Sequence, residues 1–195
     1  TIDETVRLAA EYGVGALVLG FSGPTQVQAL REIYDEAIAT RNPKSCISQR
    51  PTNFLSALCP TIVLEDAEEA FQIGARGQKF FAESIQHWNL GTPLPETVPP
   101  EIDIRDAVSD AKEQVEAFMV EGGHPVPAVA ASTSPFNIDH AYGDKNDAIE
   151  YVTQLQSAGA DEIMCIMQMG GVPHEAAMET IRQYGEYVIP HFSDN

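Results

Sequence analysis

Three short runs of unbroken apolar residues, each handed on to a stretch with helical patterning, limit the folds open to this chain more than any other feature of its 195 residues. The first run, ALVLGF over 16–21, is bounded by Gly13, Gly15, Gly23 and Pro24, and a run of this kind suits a strand covered on both faces. The second, FLSALCPTIVL over 54–64, contains Pro60, which has no N–H for a ladder and so belongs at the strand's end or at a bulge. The third is EIMCIMQM over 162–169.

Helices fill the intervals. One runs over 3–12 and stops at Gly13; another starts at Pro24 and repeats Val27, Leu30, Tyr34, Ala37 and Ile38 until Asn42 and Pro43. Glu65, Asp66, Glu68 and Glu69 open a third, where negative charge offsets the positive helix terminus, and its expected buried face is Ala67, Ala70, Phe71, Gly74, Phe81, Ile85 and Trp88. A fourth is capped by Asp144, buries Ala148, Ile149, Val152 and Leu155, and stops at Gly159. The last opens after Gly170 and Gly171 at Pro173, turns Met178, Ile181, Tyr184 and Val188 inward, and is expected to end at Pro190. Alternating strands and helices imply parallel strands joined by right-handed crossovers, an α/β fold. The rhythm alone leaves open an open sheet or part of a barrel. A closed eight-stranded barrel takes about 250 residues, and three strands cannot close one.

The segment 91–143 breaks the rhythm. Pro93, Pro95, Pro99 and Pro100 make its entry extended, 103–121 patterns as an acidic surface helix, and 96–122 carries a local charge of −6. A segment this long between regular units is a functional lid or a disordered excursion, and it is expected to act as a lid inserted into one domain over 1–195. Eleven Lys and Arg against 29 Asp and Glu give a net charge of −18, a field that repels phosphate backbones and anionic bilayers. Nucleic acid and membrane are therefore not expected partners. No apolar stretch approaches the ~20 residues of a membrane span, and the opening TIDETVRLAAEYG patterns as a polar helix and not as a signal sequence. Three widely spaced cysteines, Cys46, Cys59 and Cys165, read as reduced thiols, so a cytoplasmic location is expected.

Few motifs carry chemistry. The glycines of 13–20 end a helix and precede a strand, the reverse of the order a dinucleotide loop requires. His174-Glu175 lacks a second histidine four residues on, position 178 being Met, and no other histidines stand at ligand spacing, so no metal is expected. Ser22, Ser132 and Ser134 have no strand-turn-helix elbow, and no catalytic acid, base or nucleophile can be named. Trp88, the sole tryptophan, is explained by core packing more readily than by ligand contact. Phe21 and Gln168 end the first and third strands, and in parallel α/β folds ligands lie beyond the carboxyl ends of strands.

GGVPHEAAMETIRQYGEYVIPHF over 170–192, preceded by SAGADEIMCIMQM, resembles the end of the bacterial luciferase-like flavin monooxygenase family. AAEYGVGALVLGF resembles that family's helix into its sixth strand, and DAEEAFQIGARGQKFFAESIQHW its helix after the seventh. The resemblance implies the C-terminal part of a (β/α)₈ barrel: about three parallel strands with flanking helices, incomplete as it stands. It implies reduced FMN as cofactor and admits a deazaflavin in its place. It places Phe21 and Trp88 at the flavin and 91–143 where the family has a mobile lid, and Gln168, from its place at a strand's end, is the expected substrate contact. The implied chemistry is oxygenation of a small organic substrate by O₂ activated on reduced flavin, with water kept out. Implied partners are a flavin reductase and either further copies of the chain or the missing half of the barrel. Two other readings stay open, a non-catalytic flavin-binding or assembly module and a deazaflavin-dependent oxidoreductase.

Overall fold

The computed structural model describes residues 3–19, 23–47, 50–91, 93–106 and 142–193. Helix α1 (Asp3–Tyr12) ends at Gly13, whose φ of 74° lies in the left-handed region that stops a helix. Strand β1 (Ala16–Leu19) leads to α2 (Pro24–Thr40), and a 3₁₀ turn (Pro43–Ser45) precedes β2 (Leu55–Pro60). After Thr61 the chain resumes as β3 (Ile62–Val63) and enters α3 (Ala67–Leu90), capped by the Asp66 carboxylate on the Glu68 and Glu69 amides. A two-residue strand β4 (Tyr142–Gly143) opens the last third, followed by α4 (Lys145–Ser157), whose Asp144 and Asp147 form a capping box. Strand β5 (Glu162–Ile166), α5 (His174–Gln183), a π-helical turn (Tyr184–Val188) and α6 (Ile189–Ser193) complete it.

The main sheet has the order β1-β2-β5, all parallel, with Leu17 beside Ser56 beside Glu162 and Leu19 beside Leu58 beside Met164. Pro60 is the last residue of β2, so its missing N–H falls where the ladder stops; the Thr61 amide then donates to Ile166 O at 3.0 Å. Beyond this point β3 pairs in parallel with β4.

Over β1 and β2, one side of the sheet is fully packed. Ala16, Val18, Leu55, Ala57 and Cys59 meet Val6 and Ala10 of α1, four residues of α2, and Tyr151 and Leu155 of α4. The buried Tyr34 hydroxyl lies 2.7 Å from Val14 O and 2.6 Å from Thr52 O, tying α2 to the loops that feed β1 and β2. Arg31 does the same at the amino ends of β2 and β5, reaching Asn53 at 3.1 Å and Asp161 at 2.8 Å.

The other side is covered only toward the carboxyl ends. There Leu19 and Ile166 pack with Ile62, Leu64, Phe71 and Ala75 beneath α3. Leu17 is 51% exposed, and Met164, level with Leu19 but on the outer strand, is 45% exposed. The strand at 16–19 is thus covered on one face, not two, because α3 packs mainly on β3 and β4 and leaves Leu17 uncovered.

Three further expectations need correction. Trp88 is 86% exposed and Ala67 is exposed too: α3, about 36 Å long at 1.5 Å per residue, outruns strands of about 20 Å, and Ala82 is its last buried residue among those described. Met178 and Ile181 are about half exposed, since α5 sits on the flank of β3 and turns Ala176, Ala177 and Thr180 to it instead. Pro190 does not end the helix: the Ile189 amide donates five residues back to Tyr184 O, and this widened turn makes room for a ring that has no N–H to give.

Of the excursion, 93–106 is described and its remainder to 141 lies outside the described residues. The entry is extended, as its prolines require, and folds back along α3. Arg76 donates to Pro100 O at 3.0 Å and Ile102 O at 2.6 Å, Gln72 bridges Asp103 and the Ile104 amide, and Ile104 is fully buried.

Candidate functional site

In parallel sheets the strand connections at the carboxyl edge are the ones free to vary without disturbing the core, so functional groups collect there. Here that edge consists of the end of β1, the β2–β3 junction and the loop 167–172 after β5. Gly170 takes a φ of 52° and the Val172 amide closes on Met169 O at 3.1 Å, which makes 169–172 a tight turn. The Gln168 side chain braces it, donating from Nε2 to Val172 O at 2.9 Å. The turn sits directly on α3 at Gly77, where a Cβ would stand 2.6 Å from Val172 Cγ2 and 2.7 Å from Met169 O.

Beneath this turn lie buried polar groups. The Tyr142 hydroxyl donates to Gln78 Oε1 at 2.6 Å, and Gln78 Nε2, fully buried, has no hydrogen-bond partner. An unpaired buried amide costs about 1–3 kcal/mol, so Gln78 marks a costly polar spot within the core. Behind the strands, Thr61 Oγ1 is 3.2 Å from the Tyr184 hydroxyl, and Thr180 Oγ1 accepts from the Val63 amide at 3.0 Å. Register places Cys59 beside Cys165 on the helix side. Burial pushes the Cys59 thiol up to about 12 and raises Cys165 as well, and burial likewise raises the Tyr142 and Tyr184 phenols. Near neutral pH all four are protonated, so they serve as hydrogen-bonding and packing groups and not as nucleophiles. Among the described residues no three His, Cys, Asp or Glu side chains group to hold a metal.

Two grooves flank this edge. One of about 590 Å³ is lined by Glu65, Asp66, Glu69, Glu175 and Glu179 with Arg182. It is spent on itself: Arg182 reaches both Glu179 oxygens and Glu186, and its hydrogen bonds hold the Glu179 carboxyl down at about 2. The other, about 600 Å³ and mostly apolar, lies over the helix-side residues of β5, among Ile163, Cys165, Met167, Tyr184, Val188 and Phe192.

Of the residues singled out in the sequence, Gln168 stands at the carboxyl edge, exposed, with its amide engaged in the turn. Trp88 stands three turns beyond Gly77 on α3, about 16 Å along the axis, on the protruding end. Phe21 lies outside the described residues. Gln78 and Tyr142 were missed. Gln78 left a readable trace, a polar residue inside the apolar stripe 71, 74, 75, 78, 82 at helical spacing; Tyr142 left none, because its burial is created by β3 and Gly74 some seventy residues away.

No protein family and no curated protein matches the sequence. Solved structures do match the fold. Monooxygenase RslO1 from Streptomyces bottropensis aligns over 98% of this chain and 46% of its own, at 16% identity and a TM-score of 0.54. The likeness is one of fold. The coenzyme F420 dependent tetrahydromethanopterin reductase from Methanopyrus kandleri matches over 98% of this chain and 49% of its own, at 17% identity and a TM-score of 0.56. The oxygenating constituent of 3,6-diketocamphane monooxygenase from Pseudomonas putida, a type II Baeyer-Villiger enzyme solved with FMN, matches over 95% and 44%, at 13% identity and 0.51. The chain spans about half the length of each of these oxidoreductases, and no helix among the described residues is long and apolar enough to cross a membrane.

Proposed function

We propose that this chain forms the C-terminal half of a luciferase-like (β/α)₈ barrel, a flavin-dependent monooxygenase that uses reduced FMN and O₂ to oxygenate a small organic substrate. The observation that carries the reading is that almost the whole chain takes the fold of about half of several monooxygenases and of one F420-dependent reductase. The apolar cluster that Leu19, Ile166, Met169 and Val172 form at the carboxyl edge supports it, as surroundings that keep water out. The described residues do not by themselves fit a whole flavin. Their cations at this edge are engaged: Lys79 by Glu83, Arg76 by backbone carbonyls, Arg105 by Glu68, and Arg182 by Glu179 and Glu186. A flavin phosphate finds no anchor among them, which agrees with the anchor belonging to the other half of the barrel. Phe21, Trp88 and Gln168 are the proposed contacts of this half with flavin and substrate.

The test is to co-express the chain with the polypeptide encoded upstream of it and to titrate FMN and, separately, coenzyme F420, following cofactor fluorescence. The expected result is micromolar or tighter binding of one cofactor by the pair and none by the chain alone. Binding of F420 in preference to FMN selects the deazaflavin-dependent reading. A completed barrel that binds neither leaves the chain an assembly module and overturns the proposal.

A further inference from the structure

Residues 98–106 are held to α3 in two ways that differ in chemistry. The first hold contains no ion pair. Arg76 donates to the backbone carbonyls of Pro100 and Ile102, and Gln72 donates from Nε2 to Asp103 Oδ1 at 2.7 Å while its Oε1 accepts from the Ile104 amide at 3.1 Å. The Ile104 side chain is fully buried in the apolar cluster of Phe71, Tyr142 and Met169, and Val98 packs against the same cluster. The second hold is ionic and stands in solvent. Arg105 reaches both Glu68 oxygens, from Nη1 at 2.6 Å and from Nη2 at 2.8 Å, with Asp103 Oδ2 3.5 Å from Nη1. Its guanidinium lies 4.1 Å from the centre of the Phe71 ring, yet about half of the Arg105 and Glu68 side chains stays exposed.

We propose that 98–106 is a strap with two catches: Gln72, Arg76 and the buried Ile104 fix it as a permanent wall of the carboxyl-edge cluster, and Arg105 on Glu68 and Phe71 is an outer catch that salt opens by itself. The distinction follows from screening. Salt weakens the attraction between exposed charges, whereas bonds from a guanidinium or an amide to backbone groups, and the burial of an isoleucine, do not depend on a facing charge. Gln72 Nε2 also donates to Glu68 Oε1 at 2.9 Å, so the two catches touch, but Asp103 remains its acceptor when Glu68 is lost. Of the excursion expected to act as a lid, 98–104 therefore stays in place, and any movement has its root after Ile104. Water is kept from Tyr142 and Met169 on this side without waiting for a closure. The inference stands on the contacts of α3 and is independent of the redox reading.

The test uses the full chain in about 0.05 M and about 1 M sodium chloride, conditions that span strong and weak pairing of exposed charges. One readout is hydrogen exchange of the Ile104 amide, resolved by fragmentation mass spectrometry. The other is the rate at which phenylglyoxal, which adds across the two Nη atoms, modifies Arg105, scaled to its rate on a free arginine derivative in the same salt. Ile104 protection is expected to be the same in both salts, while Arg105 modification speeds up about threefold in high salt, the scale of one exposed ion pair. Glu68→Gln keeps an acceptor for Gln72 and removes the charge, so Arg105 should react fast in both salts with Ile104 protection unchanged. Gln72→Leu, with folding checked by circular dichroism, should lower Ile104 protection about tenfold in both salts, the scale of a bond to a charged group together with one to the backbone. Loss of Ile104 protection in high salt, or Arg105 reactivity that ignores salt, overturns the proposal on the unaltered chain, whatever the variants do. Ile104 protection that survives Gln72→Leu overturns it as well.

Discussion

The two sides of the main sheet are built from the same three strands and meet different fates. On the helix side Ala16, Val18, Leu55, Ala57 and Cys59 are at most 8% exposed, whereas on the other side Leu17 and Met164 keep about half their surface in water. The residues themselves do not announce this difference. Leu17 is as apolar as Val18, and the run 16–19 has no polar member to mark an outward face. Strands apolar on both faces belong to sheets covered on both faces, and here the second face has only the partial cover that α3 gives Leu19 and Ile166 while packing on β3 and β4. What distinguishes the two sides is how far each covering helix reaches, a tertiary quantity absent from any strand's own sequence.

The sharpest way to break this comparison is to place the same charge on two adjacent residues. Val18→Asp inserts a carboxylate among fully buried apolar groups and should cost about 4 kcal/mol, while Leu17→Asp should cost no more than about 1 kcal/mol. Urea denaturation of the two variants decides; equal losses would mean that the open side is covered in solution.

Next in size is the seat of the 169–172 turn. Gly77→Ala forces a methyl against Val172 and Met169 O and should cost about 1–3 kcal/mol, whereas Gly171→Ala, with open space around it, should stay within about 0.5 kcal/mol. Thermal melts of the pair test whether α3 and the carboxyl edge form one packed unit.

Smaller still, and confined to the helix side, is thiol reactivity. With its thiol at about 12, Cys59 exposes only about one thiolate in ten thousand at pH 8. A chromogenic disulfide reagent should therefore label it only as the protein unfolds. Fast labelling of the folded chain would show the helix side opening readily.

The smallest effect belongs to surface charge. Glu179 is held near 2 by Arg182 and then Gln183, below its ordinary 4.5, so its stabilisation is complete above about pH 4.5 and is lost as pH falls toward 2. Glu179 keeps about a third of its side-chain surface in water, so solvent screening keeps the contribution under about 1 kcal/mol. Glu179→Gln should flatten that part of the stability–pH curve and leave the neutral region almost unchanged, as urea melts at pH 3 and pH 6 would show.

Where the controlling interactions are local, the sequence predicted them. Gly13 ends α1 because the left-handed backbone there excludes most other residues, Asp144 starts α4 because its carboxylate reaches two free amides, and Pro60 closes β2 because it has no N–H. The pairing of β3 with β4 was illegible, since two residues on each side, 80 positions apart, carry no periodicity. The π-helical turn was likewise hidden, and with it the passage of the helix through Pro190. At the candidate site, Gln168 was visible from its place at a strand's end, but its use as a brace for its own loop follows from a turn geometry that sequence does not encode by spacing. Trp88 continues the apolar spacing of α3, but burial along that helix stops at Ala82 among the described residues, where α3 leaves the sheet.

The strand order also sets a timetable for synthesis. Leu55–Pro60 leaves the ribosome with β1 already made, but its other neighbour, Glu162–Ile166, follows only about a hundred residues later, an interval on the order of ten seconds at 5–20 residues per second. Through that interval the future centre of the sheet is a nascent border, apolar along nearly its whole length and open to any other chain in the polysome. Pro60 caps one end of that border with a residue that cannot donate to an intruding strand. The acidic stretch that follows is translated during the same wait and charges the nascent chains against one another, so part of the −18 guards the chain before it has folded.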